Sequence, residues 1–95
     1  MTVADTSLLA YFGEVLPALG NRQQAVLLAF MEKESFTNAE VADFLQFPIN
    51  TITPRVLELR IKGMLELDQV RPCKVTGRRA MAWRIKKVVG QVALL

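Results

Sequence analysis

Apolar residues along this chain recur first at helical spacing and then at strand spacing. Leu8, Phe12, Val15 and Leu16 fall at i, i+4, i+7 and i+8, one stripe of an amphipathic helix. Asp5, Thr6 or Ser7 can cap it, Gly13 weakens it by about 1 kcal/mol relative to alanine, and Pro17 ends it near Leu16. A second helix opens at Asn21, with Gln24 placed three residues on as in a capping box. Its run from Ala25 to Met31 is apolar on every side. That pattern predicts burial from more than one direction, one face on the following helices and another on the first helix or a second subunit.

The third helix has a firmer start. Thr37 and Glu40 form a capping box, and Phe36 is placed to staple onto Val41. Val41, Ala42 and Leu45 make its inward stripe, and Phe47 before Pro48 stops it near Gln46. The fourth helix takes Asn50 as its favoured cap, which keeps Ile52 on the helix, with Thr53 before Pro54 as the second choice; either leaves Pro54 in the first turn or so, where a missing N–H costs little. Ile52, Val56 and Leu59 face the core at i, i+4, i+7, and Gly63 ends the helix in left-handed geometry. Thr51, Arg55, Glu58 and Lys62 repeat the same spacing one residue out of step, a polar strip predicted to face outward.

Beyond Gly63 the period falls to two. Met64–Leu67 reads as a short strand, and Ala80–Ile85 as a second, with Met81, Trp83 and Ile85 on its inward face. Thr76-Gly77 marks the turn between them, and Pro72 predicts a loop over residues 71–78. The chain then ends in an apolar tail, Val88–Leu95. The expected organisation is one domain over residues 1–95: an N-terminal helix or arm (1–20), a helical core with a C-terminal hairpin (21–87) and the tail (88–95). The fold class is α+β, mainly α.

Composition narrows the function. The 95 residues are 52% hydrophobic, enough for one core without staples. Cys73 is the single cysteine, so no internal disulfide forms. No apolar run approaches the ~20 residues that span a bilayer, and the N-terminus lacks the basic residues of a secretory signal; a cytoplasmic protein is expected. Without histidine, paired thiols or a glycine-rich phosphate loop there is no catalytic constellation and no cofactor or metal site, and an enzyme is not expected. The net charge of +3 is unevenly spread. Residues 1–54 carry two basic and six acidic side chains (net −4), residues 55–95 ten basic and three acidic (net +7). Positive charge gathered in the second half fits a polyanion.

Helix, helix, capped helix, tight turn, polar-edged helix and basic-tipped hairpin follow one another in the order of a winged helix-turn-helix. Residues 36–87 resemble the winged-helix domains of small bacterial and phage transcription regulators. Thr37–Leu45 is similar to their "T-x-x-E-[IV]-A-x-x-L" helix, Asn50–Leu59 to their recognition helix, Lys62-Gly63-Met64-Leu65 to the exit into the wing, and Val75–Trp83 to the wing itself. Where such families often have glycine after the "x-L", this chain has Gln46. The resemblance implies a sequence-specific double-stranded DNA-binding protein, a small regulator of transcription of phage or prophage type. Asn50, Thr51, Thr53 and Arg55 would reach bases or phosphates in the major groove. Arg71, Lys74, Arg78 and Arg79 would neutralise phosphates from the wing. A homodimer through the N-terminal helix and/or the C-terminal tail would supply the contact area. The alternative class is a winged-helix protein-interaction module that engages a host regulator or a replication complex, with the apolar tail and second helix as working surfaces.

Overall fold

The computed structural model describes residue 13 and residues 16–86. A short 3-10 turn, Leu16–Ala18, leads into helices α1 (Asn21–Glu32), α2 (Asn38–Leu45) and α3 (Ile49–Ile61), and strands β1 (Phe36–Thr37), β2 (Leu65–Pro72) and β3 (Arg79–Ile85) complete the fold. The strands form one antiparallel sheet in the order β1-β3-β2. The expected N-terminal helix and apolar tail lie outside the described residues, except that Gly13 is helical and Leu16 opens the 3-10 turn.

One core joins the helices to the sheet. Val26, Leu27 and Phe30 of α1, Val41 of α2 and Ile52, Val56 and Leu59 of α3 meet Phe36, Leu65 and Trp83 there. Burying each large aliphatic among them contributes about 1.5–3 kcal/mol. Phe36 stands between Phe30 and Phe44, each with its ring centroid 5.4 Å away, and so ties β1 to the two helices. The predicted inward stripe of α3 is borne out residue for residue. In α1, by contrast, Leu28 and Met31 are each 43% exposed, so among the described residues its apolar surface is covered on one side only; the N-terminal helix expected against it lies outside them.

Of the three helix starts, α3 departs from the sequence expectation in position and α1 only in its cap. Thr37 caps α2 as predicted: its hydroxyl accepts from the Glu40 amide while Glu40 Oε1 accepts from the Thr37 amide. Asn21 opens α1 as predicted, but Gly20 holds the cap position with no side-chain cap, and Gln24, instead of closing a capping box with Asn21, donates to the carbonyls of Leu16 and Leu19 at 2.8 Å each, closing the 3-10 turn onto the helix. For α3 the expected cap at Asn50 is wrong. Pro48, in extended geometry, precedes the helix, and its carbonyl accepts the first bonds from the Thr51 and Ile52 amides. Pro54 is therefore the sixth residue of α3 rather than a first-turn residue. The donor it lacks would have served the carbonyl of Asn50, an exposed residue that water can satisfy.

The exits of α2 and α3 use one hydrogen-bond pattern. The Gly63 amide donates to Arg60 and the Met64 amide to Leu59; the Gln46 amide donates to Asp43 and the Phe47 amide to Ala42. These are two Schellman endings, with Gly63 at φ +79° and Gln46 at φ 59°. Gly63 ends α3 as predicted, and a glutamine occupies the equivalent left-handed position after α2.

The hairpin is longer than expected. β2 continues to Pro72, which pairs with Arg79, instead of breaking into a loop at residue 71. Proline is tolerated because β2 is an edge strand and Pro72 is its last residue. The turn falls at residues 74–77, as Thr76-Gly77 predicted, with Gly77 at φ +76°. Met81 is 52% exposed and not part of the core. It pairs with the exposed Val70, beyond the two residues of β3 that β1 pairs, and among the described residues it is not covered, contrary to the inward place that the alternation predicts. The two-residue strand β1, which pairs Phe36 with Trp83 and Thr37 with Ala82, has no counterpart in the sequence reading.

Candidate nucleic-acid interface

Opposite its core stripe, α3 shows solvent a strip made of Asn50, Thr53, Pro54, Leu57 and Ile61, all exposed. This is not the strip the sequence predicted. At 100° per residue Thr51, Arg55 and Glu58 fall on the flank towards α1, where all three are half-buried. There Arg55 Nη2 donates to Glu58 Oε2 at 2.7 Å, and Gln23 of α1 donates to Glu58 Oε1 at 2.7 Å. Arg55 Nε is buried without a partner among the described residues. The hydrogen bond from Arg55, reinforced by that from Gln23, holds the Glu58 carboxyl below its ordinary range. On the other flank the Arg60 guanidinium lies over the Trp83 ring, 4.1 Å from its centroid, a cation–π contact that seats α3 against the sheet. Because Pro48 supplies the start of the helix, no cap consumes the Asn50 side chain, and it makes no hydrogen bond among the described residues.

The wing is anchored by the first turn of α2. Glu40 accepts four hydrogen bonds: Oε1 from Arg71 Nη2 (2.7 Å) and the Thr37 amide (3.1 Å), Oε2 from Arg71 Nη1 (2.8 Å) and the Lys74 amide (2.8 Å). The fork from Arg71 is bidentate, the strongest form of this pair. Its hydrogen bonds dominate over the opposing cost of burial and lower the Glu40 carboxyl to about 2. Arg71 Nη2 also reaches the carbonyl and hydroxyl of Ser35. The Thr37 hydroxyl, which accepts from Glu40, lies 3.0 Å from the buried Cys73 Sγ, and Trp83 Nε1 donates to Asn38 Oδ1 at 3.0 Å. Burial pushes the Cys73 thiol up, but hydrogen bonding to Thr37 and to Thr76 and Val75 of the turn outweighs it and leaves the thiol below its ordinary value.

The expected site residues thus divide. Asn50 and Thr53 stand on the outward strip of α3; Thr51 and Arg55 are half-buried on its flank. Lys74, Arg78 and Arg79 are exposed around the wing turn, and among the described residues none pairs with a carboxylate. Arg71 is corrected: it is not a free wing cation but the clamp between wing and α2. The capping-box spacing identified Glu40, yet no local signal joins it to a residue 31 positions away. Exposed Leu57 and Ile61, the latter 77% exposed, were not anticipated. Among the described residues no cluster of three metal-ligating side chains occurs, and no helix is long and apolar enough to cross a membrane.

A capped helix, a tight turn, a second helix with its outer strip free, and a cation-tipped hairpin pinned beside them define a winged helix-turn-helix fold. Solved structures of the same fold include a possible transcriptional regulator from Methanosarcina mazei Go1, at TM-score 0.63 and 14% identity over 90% of this chain and 71% of that one. Stf76 from the Sulfolobus islandicus plasmid-virus pSSVx matches at TM-score 0.56 and 18% identity, over 82% of this chain and 96% of that one. The adhesin competence repressor AdcR of Streptococcus pyogenes matches at TM-score 0.57 and 17% identity, over 98% and 69%. No protein-family model and no curated protein sequence matches the chain.

Proposed function

We propose that this chain is a sequence-specific double-stranded DNA-binding regulator of transcription, of phage or prophage type. The N-terminal half of α3 enters the major groove, and the wing turn lies on the flanking backbone. The observation that carries this reading is the pairing of an outward Asn50 and Thr53 with three exposed cations, Lys74, Arg78 and Arg79, whose side chains pair with no carboxylate among the described residues, on a hairpin fixed to the same helical module. The likeness of the fold to transcription regulators supports it. One helix and one wing bury little area, so a homodimer joined through the N-terminal helix and/or the C-terminal tail supplies the rest, with its two α3 helices about 34 Å apart on one face of the duplex. The test is the salt dependence of binding to duplex DNA. Each phosphate neutralised contributes roughly −0.9 to the log–log slope, so the three wing cations give about −3 per protomer. A slope near zero refutes the reading.

One observation favours a second reading. Leu57 and Ile61 put apolar surface on the outer half of α3 where a purely phosphate-facing helix would carry polar groups. As a protein-interaction module the chain would bind a host regulator or a replication complex through that surface. Absence of duplex retention in a low-salt gel shift, together with a saturable complex with one such purified partner that Ile61→Glu abolishes, would favour this reading over the first.

A further inference from the structure

Resting on the DNA-binding reading, we propose that α3 reads A·T base pairs and discriminates against G·C. Guanine is commonly specified by an arginine or lysine fork on its O6 and N7 acceptors. The outward strip of α3 offers no such fork. Arg55 faces α1, held by Glu58, with its Nε buried, and Arg60 lies flat on Trp83 at the junction with the sheet. Lys62 follows the last helical residue, far from the N-terminal turns that enter a groove.

What the strip does offer is one amide, one hydroxyl and apolar surface. Asn50 is exposed, uncapped and without a hydrogen-bond partner among the described residues, so its amide can accept from adenine N6 and donate to adenine N7 in the bidentate pairing for which asparagine is suited. Around it stand the exposed side chains of Ile49, Thr53, Pro54 and Leu57. In the major groove only thymine presents a methyl group, and apolar side chains gain by covering it. A G·C pair in the same place would set the guanine acceptors against hydrocarbon and desolvate them without return. The exposed Leu57 and Ile49 therefore belong to the specificity of the helix, while the wing cations supply affinity that is blind to sequence.

The experiment is selection from a random duplex pool with the full chain, followed by binding of the selected duplex, a copy with uracil replacing thymine, and a G·C-substituted copy at one salt concentration. The proposal expects A·T enrichment at the core of each half-site. Removal of the thymine methyls should weaken binding several-fold, and each A·T-to-G·C change at the Asn50 position roughly ten-fold, a discrimination lost in Asn50→Ala. Asn50→Ala should keep the salt slope, since Asn50 touches no phosphate in this arrangement. Enrichment of G·C at positions sensitive to Asn50→Ala, or indifference to both uracil and G·C substitution while DNA is still bound, overturns the proposal and leaves the DNA-binding reading standing. Failure to retain any duplex at low salt overturns both.

Discussion

Two carboxylate–arginine pairs in this molecule have the same 2.7 Å contact and opposite consequences. Glu58 and Arg55 are three residues apart on one helix, and the Glu58 side chain is 37% exposed. Glu40 and Arg71 come from α2 and β2, and the Glu40 side chain is 7% exposed. Water screens the first pair, as it does other surface pairs, and leaves it little weight in stability. The second is closed off, and each of its oxygens is fully used by donors from three segments of chain. The distance between charges is thus a poor guide to their energy, and burial with full hydrogen bonding a good one. The first pair trims what α3 displays, whereas the second holds the wing to the helical module.

The widest gap should open on deleting the carboxylates. Glu40→Ala strands Arg71 and the Lys74 amide in a closed site and should cost about 3–5 kcal/mol. Glu58→Ala should leave the unfolding midpoint close to that of the parent. Urea denaturation of both variants checks this, and similar losses would erase the distinction. Acid separates the pairs next. Glu40 titrates near 2 in the fold against 4.5 in the unfolded chain, so its contribution is complete above about pH 5 and disappears as pH falls towards 2. The shift corresponds to about 3 kcal/mol. Thermal unfolding between pH 5 and 2 should show that loss in the parent and much less of it in Glu40→Gln.

The same division should appear in binding. Arg78→Ala with Arg79→Ala should flatten the salt slope by about 1.8 and leave the unfolding midpoint nearly unchanged. Arg71→Ala should do the reverse, lowering stability by about 3 kcal/mol while the folded fraction keeps its slope. A flattened slope in Arg71→Ala at full occupancy of the fold would return Arg71 to the interface.

How much of this was legible in the sequence depends on how far apart the interacting residues stand. The Thr37–Glu40 box, the Ile52/Val56/Leu59 stripe and the Gly63 and Gly77 turns are set by neighbours within a few positions, and all were read from spacing alone. The clamp from Glu40 to Arg71, the pairing of β1 with β3 and the exposure of Met81 depend on segments that only the fold brings together or leaves apart. In the candidate site the polar strip expected at Thr51, Arg55, Glu58 and Lys62 is displaced by one position, and the exposed strip carries Pro54, Leu57 and Ile61 beside Asn50 and Thr53. An extended Pro48 starts α3, and a carboxylate beside Arg55 draws that arginine to the α1 flank. The two Schellman endings show the limit of a glycine signal, because Gln46 adopts the left-handed geometry with no glycine to announce it. Gly63→Ala should therefore cost about 1 kcal/mol, with no steric neighbour to add to it, and Gln46→Gly should gain up to about 1 kcal/mol. Paired denaturation curves measure both.

The smallest change in stability should carry information about the site. Glu58→Gln keeps the shape of the side chain and removes the charge that holds Arg55 on the α1 flank. Stability should barely move, since the pair is solvated and Gln23 can rebond to the new amide. Arg55, released, becomes one more cation on the helix that meets the duplex. The salt slope should then steepen by about 0.9, and the penalty for G·C pairs should shrink, because a fork for guanine has become available. An unchanged slope and unchanged discrimination in a fully folded Glu58→Gln would mean that Arg55 stays seated on the flank by packing of its stem, and that the Glu58 carboxylate plays no part in selecting what α3 presents.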